Sequence, residues 1–366
     1  MGQKLVVVQI IPALNSGGVE RGTVEVANYL AGHGHTSIVI SAGGIMQKQL
    51  MEGVEHITLD VGKKSPLSLL LIKKLKQLFI TKKVDVVHAR SRLPAWLAYW
   101  ALARIKLNKP QFVTTVHGLY SVKRYSSIMA RGNRVIAVSQ TAADYVTKHY
   151  SQYLKMPTVI IYRGIDPKEF PYQFEPDVMW LQNWYQKHHQ LVAHKIVLLA
   201  GRLTDLKGAK DLLLWLQSDD NDAKLVLTAD PENDMNAARL YHWFKQNKVQ
   251  HRVIWVGWQS AMAHLYALAD VVVSASTRAE SFGRTVAESL AIGTPVVAYD
   301  HGGVGEILSH IFPQGKVEIG NQQQLANKIN QVLKHCPKVI NKQPYLLSTM
   351  LDQTMALYQD MVDDNE

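Results

Sequence analysis

Short apolar runs rich in β-branched residues alternate along the chain with longer stretches of helical periodicity. This alternation predicts parallel sheets covered by helices, the α/β class. In the first half, the predicted strands are residues 4–11, 36–41, 85–88, 111–115 and 134–138. In the second half, they are 195–200, 224–228, 252–256, 270–274, 295–299 and 316–319. The pattern therefore predicts two α/β domains with doubly wound sheets.

The length of 366 residues fits two domains, each large enough to bury its own core. Glycine, aspartate and three prolines cluster in residues 162–176, which indicates a hinge between the domains. A final stretch, 345–362, has apolar residues on one face and predicts a helix. We therefore expect domains at residues 1–165 and 166–344, followed by a C-terminal helix within 345–366.

A single cysteine, Cys336, excludes a disulfide framework and a cysteine-based zinc site. The opening residues have the pattern of a first strand rather than that of a signal peptide. No apolar run reaches the length of about 18 residues that a membrane-spanning helix needs. These features predict a cytoplasmic protein that does not cross a membrane.

Charge is unevenly distributed between the two halves. Residues 1–160 contain 21 lysines and arginines against 7 acids, whereas the remaining residues contain 19 against 23. A strongly basic half indicates an anionic partner. Nucleic acid, an anionic lipid leaflet and a phosphorylated glycolipid all fit this charge.

Two glutamates lie eight residues apart around the start of a predicted helix. Glu280 lies in the polar loop before Gly283, where the helix begins, and Glu288 lies on the helix about 2.2 turns later. Unpaired N–H groups at a helix N-terminus suit a phosphate. Carboxylates on either side can accept hydrogen bonds from sugar and ribose hydroxyls. The stretch therefore predicts a nucleotide-sugar site.

The same stretch resembles the E-x7-E signature of the retaining GT4-type glycosyltransferases, which have the GT-B fold. Three further motifs precede this stretch in the order typical of the family. They contain Gly17-Gly18, His117, and Arg202 with Lys207. The resemblance implies two Rossmann-like domains with an interdomain cleft, and a C-terminal helix that returns to the first domain. It also implies a nucleoside-diphosphate sugar as co-substrate, with no further cofactor.

The resemblance assigns roles to individual side chains. Arg202 and Lys207 would neutralise the leaving diphosphate, Glu280 and His117 would contact the donor sugar, and Glu288 would bind ribose. The donor-binding positions that it implies are Gly17, Gly18, Phe282, Gly283, Arg284, Thr285 and Glu288.

Each of these residues also has a purely structural interpretation. Gly17-Gly18 could form an ordinary strand–helix turn, and Arg202 and Lys207 could be solvated loop charges. Glu280 could cap a helix, Glu288 could be an exposed helix residue, and an isolated histidine is more often structural than catalytic.

No metal is expected, because arginine, lysine and helix dipoles would neutralise the diphosphate. The sequence Asp220-Asn221-Asp222 imitates the D-x-D metal motif of another glycosyltransferase fold, but turn chemistry explains it. The turn at residues 228–234 departs from the family's common Gly-rich turn and Arg163 replaces a frequent asparagine, so the donor base and sugar stay open. Arg284 replaces an apolar residue common in relatives, and could add a third positive charge for the diphosphate or face the acceptor.

Residues 63–83 contain seven lysines, no acids and many apolar residues. The segment could lie on anionic lipid, or it could pack on the first sheet with its lysines outward. The basic and aromatic residues of 121–134 resemble the acceptor domains of bacterial lipopolysaccharide-core enzymes.

The sequence therefore predicts a retaining, metal-independent glycosyltransferase. Its expected acceptor is an anionic glycolipid or glycan, as in lipopolysaccharide-core or surface-polysaccharide synthesis, and not nucleic acid. Peripheral contact with an anionic membrane is expected, at the cytoplasmic face of the inner membrane. Two alternatives are a nucleotide-sugar 2-epimerase and a non-catalytic nucleotide-sugar or membrane-binding protein. The epimerase is disfavoured because the first half has few acids for acid/base chemistry.

Overall fold

The structure, a computed structural model, describes residues 3–218 and 222–364, without the side chains of Pro66 and Leu67. Asp220 and Asn221 of the D-x-D-like turn lie outside the described residues. The chain divides into two units. The first unit comprises Met1–Gly164 and Leu347–Glu366, and the second unit comprises Ile165–Leu346.

Across residues 3–164, seven strands form one sheet in which every pairing is parallel. The strands are β1 (Val6–Ile10), β2 (Thr36–Ser41), β3 (Val54–Thr58), β4 (Val86–Ala89), β5 (Gln111–Val116), β6 (Arg134–Ala137) and β7 (Val159–Ile160). The helices between them are α1 (Gly18–Gly32), α2 (Leu70–Thr81), α3 (Arg92–Leu102) and α4 (Gln140–Tyr150). The spatial order of the strands is β3-β2-β1-β4-β5-β6-β7.

In the described part of the second unit, six strands form a second parallel sheet, in the order β10-β9-β8-β11-β12-β13. The strands are β8 (Ile196–Leu199), β9 (Lys224–Leu227), β10 (Val253–Trp255), β11 (Val271–Ser274), β12 (Val296–Tyr299) and β13 (Lys316–Val317). The helices are α5 (Val178–Lys187), α6 (Leu213–Gln217), α7 (Met235–Gln246), α8 (Met262–Leu268), α9 (Arg284–Ile292), α10 (Gly302–Ile311) and α11 (Gln322–His335).

Central strands are buried on both faces, which explains their largely apolar sequences. All residues of β4 and of β12 are buried, as expected for a parallel sheet with helices on each side. One face of the first sheet packs with Leu75 and Phe79 of α2 and with residues of α3 and α4. This confirms the predicted α/β class and the doubly wound sheets.

The C-terminal helix α12 (Leu347–Asp363) belongs to the first unit. Its Met350, Leu357, Tyr358 and Met361 pack in one cluster with residues of the first sheet, including Val7. The helix therefore covers the second face of that sheet.

Two strands were absent from the sequence prediction. β3 contains Glu55 and His56 and has no fully buried residue, because it lies at the edge of the sheet. β7 has two residues, too few for a periodic pattern. Their pairing with β2 and β6, rather than their own sequence, makes them strands.

Helix α2 lies within the lysine-rich segment 63–83. Its Ile72, Leu75 and Phe79 are buried, which is the spacing of one helical face. Leu70 and Ile80 are exposed. The helix therefore packs on the first sheet and still presents apolar and basic side chains to solvent. Among the described residues, no helix has the length and apolar character needed to cross a membrane.

Both sheets reverse their winding direction at one point, between β1 and β4 in the first unit and between β8 and β11 in the second. Ligands of doubly wound sheets bind outside the carboxyl ends of the strands at such a point. In each unit, the predicted site residues lie in the loops that follow these strands or their neighbours, or on the helices that begin after those loops.

Candidate active site

The loop after β8 contains Arg202 and Lys207 and ends at Gly208. Gly208 has a φ of 67°, and a Cβ at this position would overlap the carbonyl oxygen of Ala275. A glycine is therefore needed for this loop to pack on the segment that follows β11. This contact brings the two loops of the switch point together.

Lys207 forms an ion pair with Glu280 across the switch point, with 2.6 Å between Nζ and Oε1. The hydroxyl of Ser276 donates to the same Oε1 at 2.6 Å. Burial raises the pKa of Glu280, but the Lys207 ammonium and the hydrogen bonds from Lys207 and Ser276 outweigh it and hold the pKa below its usual value. Glu280 is therefore an ionised hydrogen-bond acceptor.

The loop carrying Glu280 is held by the start of α10. The N–H of Gly303 donates to the carbonyl of Glu280 at 2.8 Å. A Cβ at Gly302 would lie 2.6 Å from that carbonyl oxygen, and one at Gly303 would lie 2.5 Å from Phe282 Cα. Two glycines thus allow the backbone of α10 to approach the loop closely.

Helix α9 begins directly after Gly283, which has a φ of 102°. The N–H groups of Val286 and Ala287 both donate to the carbonyl of Gly283 at 3.1 Å, which closes the first turn of the helix on this glycine. Phe282 is buried and packs edge-on against Tyr345, with 5.4 Å between ring centroids. The predicted phosphate-binding turn is therefore anchored by an aromatic side chain.

Glu288 is buried on α9, with 8% of its side chain exposed. Arg284 Nε donates to its Oε1 at 2.7 Å, and the Tyr266 hydroxyl donates to its Oε2 at 3.0 Å. The interpretation as an exposed helix residue is therefore wrong. A carboxylate has about four acceptor positions, so a ribose hydroxyl could bind in addition to these two partners.

The structure does not bring all predicted cations to the same place. Arg202 is exposed, whereas Lys207 is half-buried against Glu280. Arg284 forms an ion pair with Glu288 on the same helix. Lys207 is thus the cation that contacts the central carboxylate.

In the first unit, α1 begins at Gly18, after Gly17 at the end of the loop that follows β1. Both glycines are exposed. A Cβ at Gly17 would overlap the carboxylate of Glu20. The Glu20 carboxylate therefore lies at the N-terminus of α1. The Glu20 side chain must move if a phosphate is to bind there.

His117 follows β5 and accepts a hydrogen bond at Nδ1 from Arg163 Nη2, with 2.9 Å between the nitrogens. Its backbone N–H faces the Tyr120 hydroxyl at 3.4 Å. Burial, followed by the charges of Arg163 and Arg90, holds the pKa of His117 well below its usual value. His117 is therefore a neutral imidazole.

A buried polar network lies beside His117. His88 contacts the Tyr358 hydroxyl through Nδ1 at 2.5 Å and the Thr115 hydroxyl through Nε2 at 2.6 Å. Arg90 donates from Nε to Gln9 Oε1 at 2.8 Å. Burial and the nearby Arg90 hold the pKa of His88 well below its usual value. The switch point of the first unit thus contains buried cations and neutral imidazoles.

Several residues of these networks were not predicted from the sequence. Ser276 shares Glu280 with Lys207, and His301 Nε2 contacts the Ser276 carbonyl at 2.7 Å. Gly302-Gly303 is a glycine pair between a strand and a helix, as Gly17-Gly18 is. The same sequence pattern could therefore have predicted it. Arg163 appeared only as a departure from the family pattern, and its contact with His117 depends on tertiary structure.

Within residues 3–218 and 222–364, no three or more His, Cys, Asp or Glu side chains are placed together to hold a metal ion.

Comparisons with known proteins agree with this architecture. Residues 16–169 match the family model described as Glycosyltransferase Family 4, and residues 182–341 match Glycosyl transferases group 1. A glycosyltransferase from Rickettsia africae ESF-5 is 30% identical, with a TM-score of 0.82 over 98% of this chain and 99% of that one.

Two further relatives are more distant. N-acetyl-alpha-D-glucosaminyl L-malate synthase of Bacillus anthracis is 24% identical over 74% of this chain and 70% of its own length. Anabaena Alr3699/HepE, solved in complex with UDP and glucose, is 19% identical, with a TM-score of 0.76 over 97% of this chain and 100% of that one. Alignments with the first two curated relatives span 66% and 70% of their lengths.

Between them, the two matching models cover most of residues 16–341, and the similarity to the Rickettsia protein extends over 98% of this chain. The chain therefore belongs to the family 4 glycosyltransferases and has their GT-B fold, built from two Rossmann-like domains.

Proposed function

We propose that the protein is a retaining glycosyltransferase that uses a nucleoside-diphosphate sugar and needs no metal ion. The observation that carries this proposal is the Lys207–Glu280 ion pair at the switch point of the second unit, beside the N-terminus of α9. The pair joins a cation suited to phosphate to an ionised acceptor suited to sugar hydroxyls.

Neutralisation of the leaving diphosphate is the first chemical task. Lys207 lies where its ammonium can move from Glu280 to a phosphate oxygen, and the exposed Arg202 precedes it in the same loop. The first N–H groups of α9 add partial positive charge. Fixed positive groups aimed at developing negative charge can replace a metal in this role.

Retention of configuration is the second part of the proposal. A glycosidase-like mechanism needs one protonated carboxyl group as general acid. Glu280 is held ionised, and both oxygens of Glu288 are hydrogen-bonded within its own unit. Neither side chain suits that role. The leaving phosphate itself would accept the proton of the incoming hydroxyl on the same face of the sugar.

The donor is proposed to be a nucleoside-diphosphate sugar, with uridine as the first base to test. The support is the Anabaena relative, which was solved with UDP and glucose. Its low sequence identity leaves the choice of base and sugar to experiment.

The acceptor is proposed to be an anionic glycolipid or glycan. The first unit contains 22 lysines and arginines against 12 acids, whereas the second contains 18 of each. The whole net charge of +10 therefore belongs to the first unit. The name of the Bacillus relative describes a product that contains malate, which is an anion. A role in lipopolysaccharide-core or surface-polysaccharide synthesis remains our proposal.

Peripheral membrane contact is proposed for the outer face of α2, where Leu70, Lys73 and Lys74 are exposed. Attraction to anionic lipid contributes roughly 1 kcal/mol per basic residue near the surface. Vesicles with anionic lipid should sediment the protein, and Lys73→Glu with Lys74→Glu should weaken this binding. Equal binding to neutral vesicles would contradict an electrostatic contact.

The test of the donor site is hydrolysis of a panel of UDP-, GDP- and ADP-sugars without acceptor, run with wild type and Glu280→Gln. Slow release of one nucleotide that is lost in the variant supports the proposal and identifies the donor. Binding of each nucleotide is measured on the same samples. If no nucleotide binds even weakly, the donor site is wrong.

A 2-epimerase and a non-catalytic binding protein are separated by the same panel. An epimerase would convert the donor sugar to its 2-epimer in the absence of acceptor. A binding protein would retain nucleotide affinity without turnover, and this affinity would change in Glu280→Gln while no product formed.

A further inference from the structure

Arg163 contacts His117 in a manner that decides where the imidazole carries its proton. Arg163 follows β7 and is 8% exposed, and its Nη2 lies 2.9 Å from His117 Nδ1. A guanidinium has only N–H donors and stays protonated in proteins. Nδ1 must therefore accept, and the one proton of the neutral ring lies on Nε2.

The Arg163 guanidinium occupies a space beside α1 that exists because residue 22 has no side chain. Gly22 is buried on α1, and a Cβ there would overlap Arg163 Nη1 and lie 3.1 Å from Cζ. Glycine in a helix interior is less favourable than alanine. The close approach of Arg163 gives a physical reason for a glycine at this position.

The charged groups around His117 also favour the neutral form of the ring. The ionisable groups that face His117 are Arg163, Arg90, His88 and, at its backbone N–H, Tyr120. Burial and the two arginines hold the pKa of His117 well below its usual value. The ring therefore stays neutral through the pH range in which histidines ordinarily titrate.

We propose that Arg163 is a positioning residue that fixes His117 as the neutral Nε2–H tautomer, so that the ring serves the donor only as a hydrogen-bond donor. With Nδ1 occupied and Nε2 protonated, the ring has no lone pair with which to act as a base. The role of His117 in the reaction rests on the proposed function, whereas its tautomer is a property of the folded protein.

The tautomer can be read directly by NMR of ¹⁵N-histidine-labelled full-length protein, without substrate. Couplings between the ring nitrogens and carbon-bound protons distinguish the two tautomers and the imidazolium, and His117→Gln assigns the signal. Wild type should show the Nε2–H form, with no titration near the usual histidine pKa of about 6.5.

Two variants remove the contact by different routes. Arg163→Met deletes the donor, and Gly22→Ala displaces the guanidinium while keeping Arg163. Both should give a mixture of tautomers and a raised His117 pKa. The matched control is Gly32→Ala, at the end of the same helix, where an added Cβ meets nothing within 4 Å. Its His117 signal should equal that of wild type.

Catalysis provides a second readout. Residues that orient metal-bound histidines are typically worth about 10–100-fold, and by analogy Arg163→Met should lower kcat by about that factor with little change in KM. A new loss of activity should appear at acid pH as His117 becomes protonated. A merely structural role for Arg163 would not create this pH dependence.

The proposal is overturned if wild type shows the Nδ1–H form or an imidazolium at neutral pH. It is also overturned if both Arg163→Met and Gly22→Ala, shown to be folded by circular dichroism, keep the wild-type signal. An Nε2–H signal that depends on Arg163, in a protein that cleaves no donor, would support the positioning and would contradict the proposed function instead.

Discussion

The two switch points of the molecule stabilise their charged groups in different ways. In the second unit, cations pair with carboxylates: Lys207 with Glu280, and Arg284 with Glu288. In the first unit, Arg90 donates to the neutral amide of Gln9 and Arg163 donates to the neutral ring of His117.

This difference has an electrostatic consequence. Pairing in the second unit keeps Glu280 ionised, because its cation outweighs the effect of burial. In the first unit, the arginines and burial together lower the pKa of both His88 and His117. One fold can therefore present an ionised acceptor at one switch point and neutral hydrogen-bonding rings in a positive field at the other.

Breaking the ion pair of the second unit should have the largest effect. Lys207→Ala removes the cation that contacts Glu280, and we expect donor cleavage to slow by about 100–1000-fold, the usual effect of losing one preorganised charge-stabilising group. Single-turnover release of the nucleotide measures this. Lys210→Ala, three residues later and exposed, is the control. A rate for Lys207→Ala close to that of the control would show that the pair is not used.

Two buried tyrosines allow a matched comparison of stability. Tyr358→Phe would remove the hydroxyl that contacts the buried His88 Nδ1 and Arg90, at a cost of about 1–3 kcal/mol in the free energy of unfolding. Tyr299→Phe removes a 2.7 Å hydrogen bond to the half-buried Asp211, which keeps Gln322 as a partner and has access to water. We expect this change to cost about 1 kcal/mol or less.

Urea denaturation of the two variants measures the difference. The comparison between the units predicts the larger loss for Tyr358→Phe, because its partners His88 and Arg90 are both buried, whereas Asp211 is only half-buried. Equal losses, or the reverse order, would contradict that explanation.

The smallest expected effect is a pH dependence of stability. The folded-state pKa of Glu280 lies below its unfolded value, so its contribution is present above the unfolded pKa of about 4.3 and is lost as pH falls through the folded pKa. The difference in unfolding free energy between wild type and Glu280→Gln should therefore shrink between about pH 7 and about pH 3.5.

Denaturation curves at several pH values measure this difference. Glu232→Gln, at an exposed position, is the control and should show no comparable trend. A difference that grows toward acid pH would mean that the ion pair does not hold Glu280 ionised.

Much of the fold follows from local pattern. Runs such as those of β8 and β12 are buried on both faces, so a short, apolar and mostly β-branched or aliphatic sequence predicts them as central strands of parallel sheets. The edge strand β3 and the two-residue β7 escape such a prediction, because strand pairing determines them rather than side-chain pattern.

The candidate site also combines features that are visible in the sequence with contacts that only the tertiary structure shows. The eight-residue spacing of Glu280 and Glu288, and the glycines before each helix, are local features that the sequence displays. Whether Glu288 is exposed or buried could not be read from its helix, because its partner Tyr266 comes from α8. The pairing of Lys207 with Glu280 joins residues 73 positions apart.

By itself, the sequence determined the α/β class, the glycosyltransferase family and the loops that carry the candidate residues, because these depend on periodicity and short motifs. Only the tertiary structure decided the charge state and tautomer of those residues. Glu280 is ionised because Lys207 reaches it from another loop, and His117 is neutral because Arg163 and burial act on it together. Protonation depends on which groups lie within a few ångströms, and parallel strands bring together loops that are distant in the chain.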